Sequence, residues 1–397
     1  MTGELLDIAG ARALVLAECA PIGAEEVALD DALGRVIAAD VASDIDLPPF
    51  DASAMDGYAL VAGPERELPV VAESRAGHPA PRALAPTEAM RISTGAVVPE
   101  GADSVIPQER TDERDGRVRV PAWEAGRNIR RAGEDVHRGE VVLRRGMELG
   151  PAELAVLAAV GRPAAPCALR PRVAVLATGD ELISPGRPLG PGQIRDSNPY
   201  AIAAQSTRAG AEVVCRERIA DDPQETREAL ARVLARSDVA CVTGGVSVGR
   251  HDHVKGALES LGVEERFWRV ALKPGKPTWF GVAPGGGLVF GLPGNPVSAM
   301  VTFQLFARPA IMALLGADPY ATRTRARLDT PVRRNPEREQ AVRCSLSAEP
   351  DGWHVRPTKT QGSHVLTSML GARALALVPA GDGEAAAGER VEIELFD

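Results

Sequence analysis

The chain has 397 residues, of which 45% are hydrophobic and 25% charged, with a formal net charge of -9. At roughly 100–200 residues per domain this length predicts two to four domains with room for real cores, and with aromatics at only 4% those cores must rest on Leu, Val, Ile and Ala. The acidic balance excludes a basic face broad enough for duplex nucleic acid, although not a local basic pocket for a small anion.

Residues 5–40 carry apolar side chains at a spacing near 3.6, interrupted at Gly23 and Gly34, and are expected to be helical. Asp46-Leu47-Pro48-Pro49-Phe50 cannot continue a helix. From 51 to 140, short apolar runs such as Tyr58–Val61 and Leu68–Ala72 alternate with Gly and Pro turns, the pattern of a small β domain. Residues 151–160 return to helix, with Pro151 suited to the first helical position. The β segment therefore reads as an insertion between helical pieces.

From Arg172 onward strands and helices alternate. Strands are expected at Arg172–Ala177, Ala211–Ala220, Asp238–Val242 and Leu288–Leu292, with a helix at Pro199–Ala209 and another opening at Asp221-Asp222-Pro223. Such alternation argues for a parallel sheet with right-handed crossovers. The last stretch is helix-poor, with β-like runs near Ala341–Leu346 and Val391–Phe396, and reads as a separate barrel or sandwich. The expected fold is thus a multidomain α/β plus β chain. Residues 1–45 with 141–170 form a helical linker domain, 46–140 an inserted β domain, 171–324 a parallel-sheet α/β domain, and 325–397 a C-terminal β-barrel-like domain.

No run of about 18 apolar residues stands out, so no membrane span is expected. The first residues lack a basic region ahead of their apolar part, unlike a secretion signal. Cys19, Cys167, Cys215, Cys241 and Cys344 are scattered with no C-x-x-C pair, so they read as small apolar residues of a protein in a reducing cytoplasm.

Ligands of open parallel sheets bind beyond the carboxyl ends of the strands. Three suspicious loops follow strands: Thr178-Gly179-Asp180-Glu181, Thr243-Gly244-Gly245-Val246-Ser247 and Leu292-Pro293-Gly294-Asn295-Pro296. In a parallel sheet they share one rim. Gly244 and Gly245 would let backbone N–H groups approach an anion, although the Gly-Lys-Ser/Thr ending of a P-loop is missing. Asn295-Pro296 suits a helix start, as cap and first residue, where an anion is favoured; a well-capped core helix reads the same way. Glu181, Asp221 and Asp252 are carboxylates at or after strand ends, and one or two such groups plus a substrate phosphate are the usual magnesium arrangement. Each acid alone reads equally as a solvated group or a helix cap. His251-Asp252-His253 has no third ligand at a telling spacing for a transition metal.

The basic residues add a sharper signal. Of 45 Lys and Arg, only Lys255, Lys273, Lys276 and Lys359 are lysine. Two of the four fall in Lys273-Pro274-Gly275-Lys276-Pro277. Where arginine otherwise replaces lysine, such a pair marks a place that needs a compact, flexible ammonium.

These segments, together with Pro48–Ala59, Ser93-Thr94-Gly95-Ala96 and Gly126–Asp135, resemble the molybdopterin molybdenumtransferases, including the corresponding domain of gephyrin. They occur in the family's order and span nearly the whole chain. The resemblance implies an elongated homodimer of four-domain subunits, with an active cleft between the α/β domain of one subunit and the inserted β domain of the other. It also implies an α/β domain resembling the molybdopterin-adenylyltransferase folds. The implied activity is insertion of molybdenum from molybdate into adenylylated molybdopterin, with release of AMP and Mg2+ as cofactor. By motif, Asp56, Thr94, Glu181, Asp221, Asp252, Pro293 and Pro296 belong to the functional set. Glu181 and Asp252 are then the magnesium ligands; Lys273, Lys276, Ser298, Arg343 and Ser363 contact molybdate. Gly244, Gly245 and Ser247 contact the substrate, and Arg130 and Asp135 line the wall from the other subunit. His251 and His253 flank Asp252 where relatives commonly carry other residues. The nearest rival, the adenylyltransferase of the preceding step, usually has Thr-Gly-Gly-Thr-Gly where this chain has Thr243-Gly244-Gly245-Val246-Ser247. A pure scaffold is disfavoured by the intact acids and lysines.

Overall fold

The computed structural model describes residues 5–245 and 253–396. The chain divides into two compact units, one of Met1–Glu25, Gly34–Ala38 and Pro166–Asp397, the other of Glu26–Leu33 and Ala39–Ala165.

In the first unit a six-stranded sheet has the order Glu212–Ile219, Arg172–Thr178, Val239–Thr243, Leu288–Leu292, Trp279–Val282, Glu264–Trp268. The first four strands are parallel and the last two antiparallel. Because side chains alternate across a strand, Val173, Val175 and Cys241 face one core while Ala174, Leu176 and Val242 face another. The first core is covered by the Asn198–Arg208 helix and by a long helix from Pro296 to Leu314. The second is covered by the helices Pro223–Leu234 and Val254–Ser260. Asp222 caps its helix by accepting from the N–H groups of Gln224 and Glu225 at 2.9 and 2.8 Å.

The Pro296–Leu314 helix has 19 residues and a mean hydropathy of 1.4, so by length and composition it could cross a membrane, contrary to the sequence expectation. It is 83% buried within the protein, and its apolar face is accounted for by the core. Its middle, Phe303–Ala307, is a π-helical turn. There Arg12 Nε donates to the Leu305 carbonyl at 2.8 Å. The same guanidinium pairs with Glu394 at 2.6 Å, both side chains being buried.

The last part of this unit is a barrel. The strands Glu339–Glu349, Gly352–Pro357, Arg323–Leu328, Arg390–Leu395 and Ala374–Val378 pair in turn, and the last closes on the first. Closure leaves no free edge within that ring, and Val342, Cys344, Val355, Ala376 and Ile393 fill it. Burial pushes the Cys344 thiol up to about 12, so it behaves as the small apolar residue its sequence context implied.

The N-terminal helix is shorter than the periodicity predicted. It covers only Ile8–Ala17, capped by Asp7, and Ala24–Ala28 is a strand. Pro21 cannot sit inside a helix, and Gly23 adopts φ +136°, a conformation helix residues never take.

The second unit is built on a six-stranded sheet of order Ser104–Pro107, Gly57–Leu60, Ala89–Ile92, Arg66–Ser74, Arg117–Val120, Asp112–Arg114. Its core is Tyr58, Leu60, Leu68, Ile106, Val118 and Trp123. The Pro151–Ala159 helix starts at Pro151 as expected, with Glu153 Oε2 accepting from the Gly150 N–H at 3.0 Å.

The Arg12–Glu394 pair ties the first helix to the last strand, so Glu394→Ala should leave a buried, unpaired guanidinium. A loss of about 3–5 kcal/mol is expected in urea unfolding. The Arg12→Met/Glu394→Leu double variant should recover most of it, because an apolar pair needs no compensating charge.

Candidate active site at the sheet rim and barrel

The register of the parallel strands brings their ends to one rim. Thr178 lies opposite Ile219, Ala177 opposite Thr243, and Thr243 opposite Leu292. The loops after all four strands therefore open on the same side. They line a cavity of about 550 Å3 that includes Thr178, Glu181, Asp221, Gly244, Gly245, Pro293 and Asn295. Each of the three loops expected at the rim contributes to this lining, although Asp180, Leu292 and Pro296 do not line it. Ser247 and Asp252, assigned to the same site, lie outside the described residues.

The glycines at the rim serve close approach. Gly244 and Gly245 take φ +83° and +63°, and a Cβ at either would lie 2.9 Å from an oxygen of Thr178. The Gly244 N–H donates to the Leu292 carbonyl at 3.2 Å. That N–H extends the sheet and does not cradle an anion, which corrects the sequence reading for this residue. Asn295 also differs from expectation. It occupies the cap position before Pro296, but its side chain makes no cap hydrogen bond. Instead its Nδ2 donates to Ser363 Oγ at 3.2 Å.

Two rim residues were missed by sequence reasoning. Asn198 lines the cavity and donates to the Gly294 carbonyl at 2.8 Å, holding the Pro293–Asn295 loop. Asp196 is buried, and burial raises its carboxyl above the usual range. Repulsion from Glu181 adds to the rise, and Arg218 and Arg216 oppose it. Only their place at the start of the Asn198–Arg208 helix, Asp196 two residues before it and Asn198 its first residue, could have flagged them.

Lys273 and Lys276 sit in the connection of the antiparallel hairpin Glu264–Trp268/Trp279–Val282. Trp268 and Trp279 are paired at its base, and Trp279 lies opposite Gly291 near the rim. The sequence placed the lysines at a strand end but did not show the hairpin. Several bonds fix this loop. Val270 N–H donates to the Lys276 carbonyl at 3.0 Å, and Thr278 Oγ1 donates to the Gly275 carbonyl at 2.7 Å. Leu272–Lys273 pairs in parallel with Glu339–Gln340 of the barrel. Gly275 is required: at φ +123° a Cβ would come within 2.5 Å of Thr302 Cγ2. Both lysine side chains are exposed.

A second cavity, of about 850 Å3, opens beside this loop and is lined by Lys273, Arg333, Gln340, Arg343, Lys359 and Gln361, among others. Arg343 is 0% exposed. Its Nη2 donates to the carbonyls of Thr360 and Gly362 at 3.1 and 3.4 Å, whereas Nε and Nη1 have no hydrogen-bond partner among the described residues. Burial lowers the guanidinium's pKa, as expected for a charge held out of water. Gln361 locks the surrounding loop, accepting from the Arg343 N–H at 3.1 Å and donating to the Arg343 carbonyl at 3.0 Å.

The two cavities adjoin. The 273–277 loop gives Lys273 and Pro274 to one and Pro277 to the other. Asn295 on the rim bonds Ser363, next to Gly362 on the barrel side. Ser298 and Pro296 lie in the helix that begins there, but Ser298 is 3% exposed and lines neither cavity.

In the second unit, Asp56 and Thr94 are brought together, with the Thr94 N–H donating to Asp56 Oδ1 at 2.7 Å. A Cβ at Gly57 would lie 1.9 Å from the Ile106 carbonyl oxygen, so only glycine lets the chain pass there and present Asp56. Arg130 and Asp135 line a groove of about 510 Å3 with Pro48, Phe50 and Gly95. Arg130 pairs with Ala52, and the Asp135 N–H donates to Leu47 O at 2.9 Å. All four side chains are exposed.

Residues 6–161 match the family model described as the MoeA N-terminal region, domains I and II. Residues 174–313 match a probable molybdopterin binding domain, and 325–396 the MoeA C-terminal region, domain IV. The chain is 36% identical to the molybdopterin molybdenumtransferase of Haemophilus influenzae, over 95% of each chain. It is 38% identical to molybdopterin molybdenumtransferase 2 of Mycobacterium tuberculosis, over 94% of this chain and 95% of that one. The crystal structure of the molybdopterin biosynthesis MoeA protein from Pyrococcus horikoshii superposes with a TM-score of 0.86 at 31% identity, covering 99% of this chain and 100% of that one. With matches of this extent along the whole chain, and a rim and barrel built from the residues the motifs single out, the chain belongs to the molybdopterin molybdenumtransferase (MoeA) family.

Proposed function

We propose that this chain transfers molybdenum from molybdate to adenylylated molybdopterin and releases AMP. The observation that carries this reading is the buried Arg343, whose Nε and Nη1 have no hydrogen-bond partner among the described residues, in the lining of a cavity that adjoins a carboxylate-bearing rim. A guanidinium held out of water without an acid is costly unless an anion completes it. A tetrahedral dianion with acceptors on every corner supplies what Arg343 lacks, and Lys273 and Lys276 add compact charges that need no fork geometry.

The rim suits the other substrate. Glu181 and Asp221 offer only hard oxygen donors, and one or two such carboxylates with substrate phosphate are the usual magnesium environment. Glu181, with Asp252 assigned from its motif, would hold the ion, which when bound supplies neutralisation of charge on the adenylate phosphates. The chain's own residues do the positioning. Lys273, Lys276 and Arg343 hold molybdate, Ser363 is kept beside it by Asn295, and Pro293 stiffens the turn that faces the phosphates. The two dithiolene sulfurs then replace two molybdate oxygens, which leave as two waters with the two thiol protons and two protons from solvent, and one water cleaves the phosphoanhydride to release AMP. Orientation is the protein's main contribution, since two anions must be brought together against their repulsion.

Asp56, Thr94, Arg130 and Asp135 are assigned to the wall that a second copy supplies. Phe50 and Met55, both 40% exposed next to these residues, are apolar surface that a partner would cover.

Purified protein given adenylylated molybdopterin, magnesium and molybdate should release AMP only when molybdate is present. Arg343→Lys or Lys276→Ala should raise the molybdate concentration needed by about tenfold or more, the scale of one lost charge-assisted bond. Molybdate-independent release would overturn the reading. Glu181→Gln should shift the magnesium titration to higher concentration, and an unmoved titration would remove Glu181 from the metal site. Mixing Asp56→Ala with Glu181→Ala protein should restore part of the activity through heterodimers. Inactivity after subunit exchange has been demonstrated would place the site within one copy.

A further inference from the structure

The cavity that ends on Arg343 is far larger than the anion it would grip. At about 850 Å3 it falls within the range of whole small-molecule sites. A tetrahedral oxoanion takes the space of only a few waters, at about 30 Å3 each. The buried Arg343 marks its inner end. Arg333 and Lys359 line it as well, and no Asp or Glu is among the described residues of its lining.

Arg333 stands on the short strand Val332–Arg333, paired with Glu384–Ala385. Lys359 lies on a segment held to the barrel by the Thr358 N–H, which donates to the Arg343 carbonyl at 2.8 Å, and by Gln361. Both side chains are exposed, and neither forms an ion pair with a described residue. The neighbouring Arg334, by contrast, is neutralised by Glu389 at 2.6 Å. Two of the chain's four lysines thus line one cavity in a protein of net charge -9. A concave wall of one sign focuses its field and raises the local concentration of the opposite ion.

We propose that the outer part of this cavity is an antechamber that draws tetrahedral oxoanions from solution, with Arg333 and Lys359 as capture cations. The anion passes from them to Arg343 and Lys273. This rests on the molybdate reading of Arg343. Arg333 and Lys359 attract the anion before it is seated, so they act on kcat/KM for molybdate and leave kcat untouched. The attraction runs through solvent and is screened by salt: the Debye length falls from about 30 Å at 0.01 M to about 3 Å at 1 M.

The test compares the wild-type protein with Arg333→Ala/Lys359→Ala, measuring AMP release against molybdate concentration at saturating adenylylated molybdopterin. At about 0.01 M salt the double variant should lose about tenfold in kcat/KM for molybdate, the lower end of steering effects, at unchanged kcat. At about 1 M salt the two proteins should converge. Arg333→Lys/Lys359→Arg, which keeps both charges, should behave as wild type. Equal kcat/KM at low salt, a loss that persists at high salt, or a fall in kcat would each overturn the antechamber. Wild-type protein that releases no AMP in response to molybdate would sink the functional reading instead, so the two failures are distinguishable.

Discussion

A guanidinium buried without an acidic partner among the described residues is the constraint around which the barrel and the loops beside it are arranged. Arg343 is fully covered, yet only one of its nitrogens finds protein acceptors. The fold tolerates this because the barrel strand carrying it is anchored on both sides. It pairs with the Gly352–Pro357 and Ala374–Val378 strands, and its start pairs with the lysine loop. Leaving buried donors unmade costs about 1–3 kcal/mol each, more for a charged group. Proteins accept such local costs at functional sites and offset them elsewhere in the fold.

The same pairing explains why the lysines are where they are. A hairpin loop of the α/β sheet reaches the barrel and adds Leu272–Lys273 as a parallel partner of Glu339–Gln340. Gly275 lets that loop press on Thr302 of the long helix. The helix starts at Pro296 beside Asn295, whose amide bonds Ser363 across from the barrel. Sheet, barrel and helix are thereby linked at one place, and a shift in any of them would move Lys273 and Ser363 relative to the rim carboxylates. Glycines at 244 and 245 do the corresponding task on the sheet side, where Thr178 approaches too closely for any Cβ.

Much of this was legible in the sequence, for identifiable reasons. The Leu288–Leu292 strand matches its apolar run residue for residue, because a strand buried on both faces leaves an unbroken hydrophobic signal. Parallel register then brings Glu181, Asp221 and Pro293 to one rim without further information. The lysine pair stood out only against a background of arginine. Other features depend on tertiary packing and have no local signature. The antiparallel edge hairpin was missed because its strands, Glu264–Trp268 and Trp279–Val282, are short and flank a Pro/Gly-rich loop that reads as irregular chain. The N-terminal helix was overextended because apolar spacing outweighed Pro21. Asn295 was read as a cap, a local role, whereas its partner Ser363 is 68 residues away. Asn198, Arg333 and Lys359 carry no motif of their own, and only the folded chain shows which surface they line.

The distribution of cation types around the barrel cavity follows from what each must do. Arg343 stands at the buried end, its planar fork held by the Thr360 and Gly362 carbonyls. Around it the exposed cations are of both kinds, Lys273 and Lys359 with Arg333. An ammonium is a strongly hydrated point charge and a guanidinium a planar fork, but at exposed positions both supply one positive charge. What the exposed members share is therefore charge, whereas the geometry of a fork matters at the one buried position, Arg343.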